Sequence, residues 1–230
     1  NMELKKFENT SALDNTLSAE VSERLSNAIE KHGKASLILS GGRTPMGFFH
    51  QLSQQILEWD KVTVTLADER WVDNDHQDSN EKLVRENLLI NEAHCAQFLS
   101  LKNAADTAVD GEPELEAELS KQGQFTVVIL GMGDDGHTAS LFPGATALAA
   151  GLDLNSGRSC IAVTPTAAPH ERISMTLPRL LNTERLIIHI SGENKQKVLD
   201  QALAGNDVKE LPIRSVLQQS QLPVTVYWAS

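Results

Sequence analysis

His137 follows a glycine-rich turn, with Asp135 two residues and Asp134 three residues before it. An imidazole beside a carboxylate can act as a general base, the carboxylate orienting the ring so that its other nitrogen accepts a proton. The residues ahead, Phe125 to Leu130, are apolar and largely β-branched, so they read as a buried strand that stops at Gly131. A strand that ends in glycines and delivers carboxylates and an imidazole places them at its C-terminal end, where open α/β sheets bind ligands. Gly131, Gly133 and Gly136 also satisfy G-x-G-x-x-G, and Gly131 to Thr138 has the outline of a phosphate loop. Both motifs require an anion against the loop. Asp134 and Asp135 put negative charge there and His137 stands where the lysine should be, which argues against a dinucleotide site. A metal ion held by Asp134, Asp135 and His137 lacks support too, since the chain has no HExxH and no second histidine nearby in sequence.

Two further loops carry complementary chemistry. Ala35 to Leu39 reads as a buried strand, and Ser40-Gly41-Gly42-Arg43-Thr44-Pro45 turns it into a helix marked by Pro45. Free N–H groups at a helix start, two glycines, the Thr44 hydroxyl and the Arg43 guanidinium suit an oxyanion. An ordinary strand-to-helix turn uses glycine and proline as well. Asp68-Glu69-Arg70 follows the strand Lys61 to Ala67, again at a C-terminal edge. The polar loop Asp73 to Asn80 contains His76 and Asp78, which have the residue types of metal ligands, although such loops ordinarily face solvent. Lys195 falls in the first turn of a helix, Glu193 to Leu203, where the helix dipole disfavours a cation; it points either at a bound anion or into solvent.

The elements that must position these groups alternate in type. A helix is expected from about Ser11 to His32, with Leu13, Leu17, Val21, Leu25, Ala28 and Ile29 on one stripe and Gly33 as its stop. The helix after Pro45 is expected to run to about Leu57, burying Met46, Phe49, Leu52, Ile56 and Leu57. Further helices are expected over Glu81 to Ile90 and, in part, Asp106 to Gln122. Further strands are expected over Phe98 to Leu101, Ser159 to Val163, Arg185 to Ile190 and Val224 to Trp228. Thr164 to Arg172, with His170 and Arg172, reads as a loop containing proline. Strands alternating with helices imply an α/β fold, a mostly parallel, doubly wound sheet with helices on both faces. The loops at Ser40, Asp68 and Gly131 then gather along one sheet edge.

The bulk properties set limits. Residues 1–230 are within reach of a single α/β domain. The formal net charge of -11 argues against a general nucleic-acid or anionic-membrane surface, but it is compatible with an anionic small molecule if a few cations line its pocket. No apolar run approaches the roughly 20 residues needed to span a bilayer, and no basic, apolar leader is seen, so a cytoplasmic location is expected. Cys95 and Cys160 lie in no metal-ligand spacing and fit free thiols in a reducing compartment. Asn1, ahead of Met2, reads as an expression remnant.

Taken together and in order, Ser40 to Pro45, Asp68 to Arg70, Asp78-Ser79-Asn80 and Gly131 to Pro143, followed by Gly192-Glu193-Asn194-Lys195, resemble the motifs of the 6-phosphogluconolactonases of the glucosamine-6-phosphate deaminase-like superfamily. The resemblance covers nearly the whole chain. It implies a modified Rossmann-like domain that opens the ring of 6-phosphoglucono-δ-lactone in the pentose phosphate pathway, with no organic cofactor and no required metal. By that resemblance His137 is the base, Asp135 organises its loop, and Asp68 and Arg70 face the lactone, Arg70 stabilising the developing oxyanion. Gly41, Gly42, Arg43, Thr44, Asn80, Arg172 and Lys195 fall among the substrate- and phosphate-binding positions. The partner implied is a phosphorylated sugar lactone, not nucleic acid or membrane; the chain itself is expected as a monomer or weak homodimer.

Two other functions share this pattern in part. In an aminosugar-phosphate deaminase and isomerase, Asp68 would shuttle a proton at carbon and His137 would help to open the ring; Ser140-Leu141-Phe142-Pro143 resembles the lactonase tail rather than the asparagine-containing tail of the deaminases. A non-catalytic sugar-phosphate sensor would need a DNA-reading module, and neither a helix-turn-helix extension nor a basic face is evident. A serine esterase is disfavoured because no G-x-S-x-G elbow occurs.

Overall fold

The computed structural model describes residues 2–230; Asn1, read above as an expression remnant, lies outside them. Strands β1 (Met2–Phe7), β2 (Ala35–Leu39), β3 (Val62–Leu66), β4 (Asp68–Arg70), β5 (Gln97–Phe98), β6 (Phe125–Leu130), β7 (Cys160–Val163), β8 (Arg172–Met175), β9 (Thr183–Ser191) and β10 (Val224–Ala229) form two sheets. The larger has seven strands in the order β1-β10-β9-β6-β2-β3-β5, all parallel. Every residue of β2, β6 and β10 is buried, so both faces of this sheet are covered, as a parallel sheet requires. From β2 the chain winds outward through β3 to β5, and from β6 it winds the other way through β9 to β10. The direction therefore reverses between β2 and β6, and the loops leaving these two strands flank the switch point, where such sheets bind ligands.

Helix α1 (Thr10–His32) is the long cover. Asn9 caps its start by accepting the Ala12 N–H at 2.8 Å, and Gly33, at φ 79°, ends it by donating to Ile29 O at 2.7 Å. The whole expected stripe, from Leu13 to Ile29, is buried. The other helices are α2 (Met46–Ser53), α3 (Asn80–Asn87), α4 (Ala108–Ser120), α5 (Leu148–Leu152), α6 (Leu177–Leu180), α7 (Glu193–Leu203) and α8 (Arg214–Leu217). Among the described residues no helix is long and apolar enough to cross a membrane. Cys95 and Cys160 are both free.

The structure departs from the sequence expectation in several places, and the strand expected over Phe98 to Leu101 is confined to Gln97–Phe98. Helix α2 ends at Ser53, and Ile56 is 86% exposed rather than inward. The buried Trp59 donates its indole N–H to Gln55 O at 2.9 Å, drawing residues 54–58 into a turn. Strand β1, which has no counterpart among the expected strands, is a half-exposed edge strand whose lysines blunt its polar rim, so no apolar run marks it. The smaller sheet, β4-β8-β7, is antiparallel and was not foreseen as a separate layer. Its strands are three or four residues long, too short to show a period.

Candidate active site

A cleft of about 310 Å³ opens at the switch point, at the small end of the range for small-molecule sites. Gly41, Gly42, Arg43, Thr44, Asp68, Arg70, Asn80, His137, Arg172 and Lys195 all line it. Of the residues that the resemblance assigns to catalysis and binding, Asp135 alone does not, and it stands behind His137.

The loop after β6 is folded to hold that histidine. Gly136, at φ 79°, turns the chain back, and Gly133 donates its N–H to His137 O at 2.8 Å. Asp135 Oδ1 lies 2.6 Å from His137 Nδ1 and accepts the His137 backbone N–H at 3.0 Å. The hydrogen bond from His137 holds the Asp135 carboxyl below the usual carboxylate range, so it is ionised and keeps Nδ1 as the donor. That leaves Nε2 as the basic nitrogen. The ring rests on Phe142, with centroids 4.4 Å apart. A Cβ on Gly133 would lie 2.1 Å from His137 Nδ1, so only glycine permits this ring position. Gly133→Ala is accordingly expected to displace the imidazole and to lower turnover by about tenfold or more, the scale of a misplaced catalytic group. Steady-state rates alongside a thermal melt check this, since a lost fold would lower both.

Strand β4 sorts its three charged residues by alternation. Asp68 and Arg70 share the cleft face and Glu69 points the other way. Glu69 is buried and accepts the N–H groups of Arg70 at 2.9 Å, Asn80 at 2.8 Å and Glu81 at 2.9 Å, which binds β4 to the start of α3. Burial pushes the Glu69 carboxyl up to about 7, against the pull of those N–H groups. Asn80, fixed by this contact, donates to Asp68 O at 3.2 Å and presses on the first loop: a Cβ on Gly41 would lie 2.2 Å from Asn80 Oδ1. The buried Asp68 carboxylate accepts from Ser140 Oγ at 2.5 Å, which ties it to the loop of His137.

The cations are arranged for an anion. Arg70 and Arg172 are direct cross-strand partners in the β4–β8 ladder. Each is held by a carbonyl, Arg70 Nη1 by Asp78 O at 2.9 Å and Arg172 Nη2 by Pro169 O at 3.3 Å. Arg172 is buried, its guanidinium lies 5.5 Å from the Phe142 ring centroid, and its Nε has no hydrogen-bond partner. Burial and the Arg70 charge both lower its affinity for the proton. Among the described residues neither arginine has a carboxylate within 4.0 Å, and neither does Arg43. Two like charges side by side, neither of them in a salt bridge, leave both guanidiniums able to receive an anion. Opposite them no backbone N–H from residue 41 to 44 donates to another backbone group, and Gly42 adopts φ 94°. Free N–H groups ahead of a helix such as α2 are able to receive an oxyanion.

Lys195 lines the cleft but is not a free cation. Its Nζ meets Asp134 Oδ1 at 2.8 Å, and Asn194 donates to the same oxygen at 2.8 Å. The lysine holds the Asp134 carboxyl below its usual range. Asp134 thus anchors the start of α7 rather than facing a ligand. Lys195→Ala is expected to raise KM for a phosphorylated substrate by roughly threefold to tenfold with little change in kcat, the scale of one partly screened charge. Initial rates over a substrate series measure both constants.

His189 was missed. It is buried in the cleft floor, edge-on to Phe48 with centroids 5.9 Å apart and with Nε2 3.8 Å from Asp14 Oδ1. Burial drives its pKa down to about 4 and raises that of Asp14 to about 6, so the imidazole is neutral. Its signal in the sequence was a histidine interrupting the apolar run Leu186 to Ile190.

Comparison with known proteins gives the site its relatives. The model of a family described as glucosamine-6-phosphate isomerases/6-phosphogluconolactonase matches residues 8–228. The 6-phosphogluconolactonase of Rhizobium meliloti is 44% identical over 224 residues, 97% of each chain. The crystal structure of a 6-phosphogluconolactonase from Shewanella baltica superposes with a TM-score of 0.97 at 43% identity, covering 100% of this chain and 98% of that one. A monomeric glucosamine-6-phosphate deaminase shares the fold, with a TM-score of 0.81 at 18% identity over 99% of this chain and 97% of that one.

Proposed function

Because this chain belongs to the family of glucosamine-6-phosphate isomerases and 6-phosphogluconolactonases, we propose that it is a hydrolase that opens 6-phosphoglucono-δ-lactone to 6-phosphogluconate, with His137 as general base. The observation that carries this reading is that one cleft is lined both by His137, held by Asp135, and by two arginines with no carboxylate within 4.0 Å.

In the proposed reaction His137 Nε2 takes a proton from water as the water oxygen attacks the lactone carbonyl carbon. Asp135 stabilises the imidazolium that forms. Arg70 donates to the carbonyl oxygen as it becomes an oxyanion. Collapse of the tetrahedral intermediate breaks the bond from that carbon to the ring oxygen, which takes the proton back from His137. The carboxylic acid product then ionises, so each turnover releases one proton. A lactone is an activated ester, and positioning, deprotonation and oxyanion stabilisation suffice without a covalent nucleophile. Arg172 and the Gly41 to Thr44 loop, aided by Lys195, hold the phosphate, and Asn80 keeps Asp68 and Gly41 in place around the sugar. The activity corresponds to the second step of the oxidative pentose phosphate pathway.

The related deaminase chemistry is separable by product. With the lactone and glucosamine 6-phosphate offered in parallel, acid release from the lactone and no ammonia from the aminosugar is expected. Ammonia release without acid release would replace the lactonase reading by the deaminase one.

A further inference from the structure

We propose that His76, Asp78 and His170 form a binding site for a divalent first-row metal ion of the zinc class, which clasps together the two loops that hold the cleft arginines. His76 and Asp78 belong to the loop between β4 and α3, whereas His170 lies 92 residues beyond Asp78, in the loop ahead of β8. The fold brings one donor atom from each within 4.8 Å of the others. His170 Nε2 already meets Asp78 Oδ2 at 2.8 Å, and the two imidazoles pack edge-on with centroids 5.3 Å apart. Two imidazoles and one carboxylate are a common protein ligand set for zinc, with the remaining positions open to water.

The backbone around His170 is constrained. His170 adopts φ 69°, a left-handed conformation unusual outside glycine. Its neighbour Glu171 fixes that geometry, accepting the Trp71 N–H at its carbonyl and the Ala108 N–H at its carboxylate, each at 2.7 Å. At bond lengths of ~2.0–2.1 Å a tetrahedral zinc holds its ligand atoms roughly 3.3 Å apart. Closure from the present spacing needs rotation of the His76 ring, whose Nδ1 now accepts the Asp78 N–H at 2.9 Å. Binding exchanges this contact and the His170–Asp78 hydrogen bond for coordination bonds and releases the bridging proton to solvent. The same two loops supply the carbonyls of Asp78 and Pro169 to Arg70 and Arg172. An ion at this site therefore sets the frame of the anion pocket without touching the reacting atoms.

Zinc titration of the chelator-treated full chain tests the site, with binding read by calorimetry and loop protection by amide hydrogen exchange. One saturable site is expected, weakened at least tenfold by His170→Ala and by His76→Ala, with magnesium not competing. His137→Ala is expected to keep it, which separates it from the Asp135–His137 pair. Zinc is further expected to slow exchange across residues 73–79 and 164–171 in the unaltered protein but not in His170→Ala. No saturable binding at micromolar zinc, or binding abolished by His137→Ala and indifferent to His170→Ala, overturns the proposal. These readouts do not depend on lactone hydrolysis, so they stand or fall apart from the enzymatic reading.

Discussion

His137→Ala is expected to lower kcat by about 100-fold or more, the range for a lost general base, while KM changes little. The expectation rests on position: Nδ1 is occupied by Asp135 at 2.6 Å, and His137 lines the cleft. A structural histidine would give a different pattern, a lowered melting temperature with turnover of the surviving fold near normal. Asp135→Asn tests the same link from behind. An amide can donate to Nδ1 and favour the wrong tautomer, so kcat falls without loss of binding. The pH profile has a definite sign as well. A general base acts only in its unprotonated form, so kcat/KM is expected to fall toward acid pH, and a flat profile would point to another base. Asp135, held below the usual carboxylate range by His137, remains ionised there and does not cause the fall.

Arg70→Ala is expected to lower kcat by about 100- to 1000-fold, the loss seen when one oxyanion donor is removed. Arg172→Ala is expected to act chiefly on KM for the phosphorylated lactone. The two guanidiniums are neighbours across one ladder, so a general charge effect would shift both constants alike in both variants. A split between kcat and KM identifies separate targets. Measuring both variants on phosphorylated and unphosphorylated lactone sharpens it: with no phosphate to bind, the Arg172 effect shrinks and the Arg70 effect persists. Arg70 also braces the Asp78 carbonyl, so Arg70→Lys serves as a control that keeps the charge but loses the forked geometry.

The parts of this site that could be read from sequence are those written in local chemistry. Each cleft loop follows a run of apolar residues ended by glycines or charges, and the alternation of strands and helices set the parallel sheet and its ligand edge. What stayed hidden depends on register and on distant partners. The pairing of Arg70 with Arg172 requires β4 and β8 to meet antiparallel, and neither is long enough to announce itself. Lys195 was legible as a misplaced cation in a first helical turn, but Asp134 as its partner was not, because the two approach only when the loops after β6 and β9 fold side by side. His170 was read as one more loop residue and gains significance from His76 and Asp78, which it reaches only in the fold. His189 hid inside a strand pattern whose other members are apolar, where one polar residue alters neither length nor period.

The central claim is that this cleft hydrolyses a lactone because it carries a phosphate. The direct test is the rate of proton release from freshly prepared 6-phosphoglucono-δ-lactone, above the uncatalysed rate, beside that from the unphosphorylated δ-lactone. Strong acceleration of the phosphorylated lactone and little of the other is the predicted result. Equal acceleration of both would contradict the role of the arginines, and acceleration of neither would contradict the lactonase reading itself.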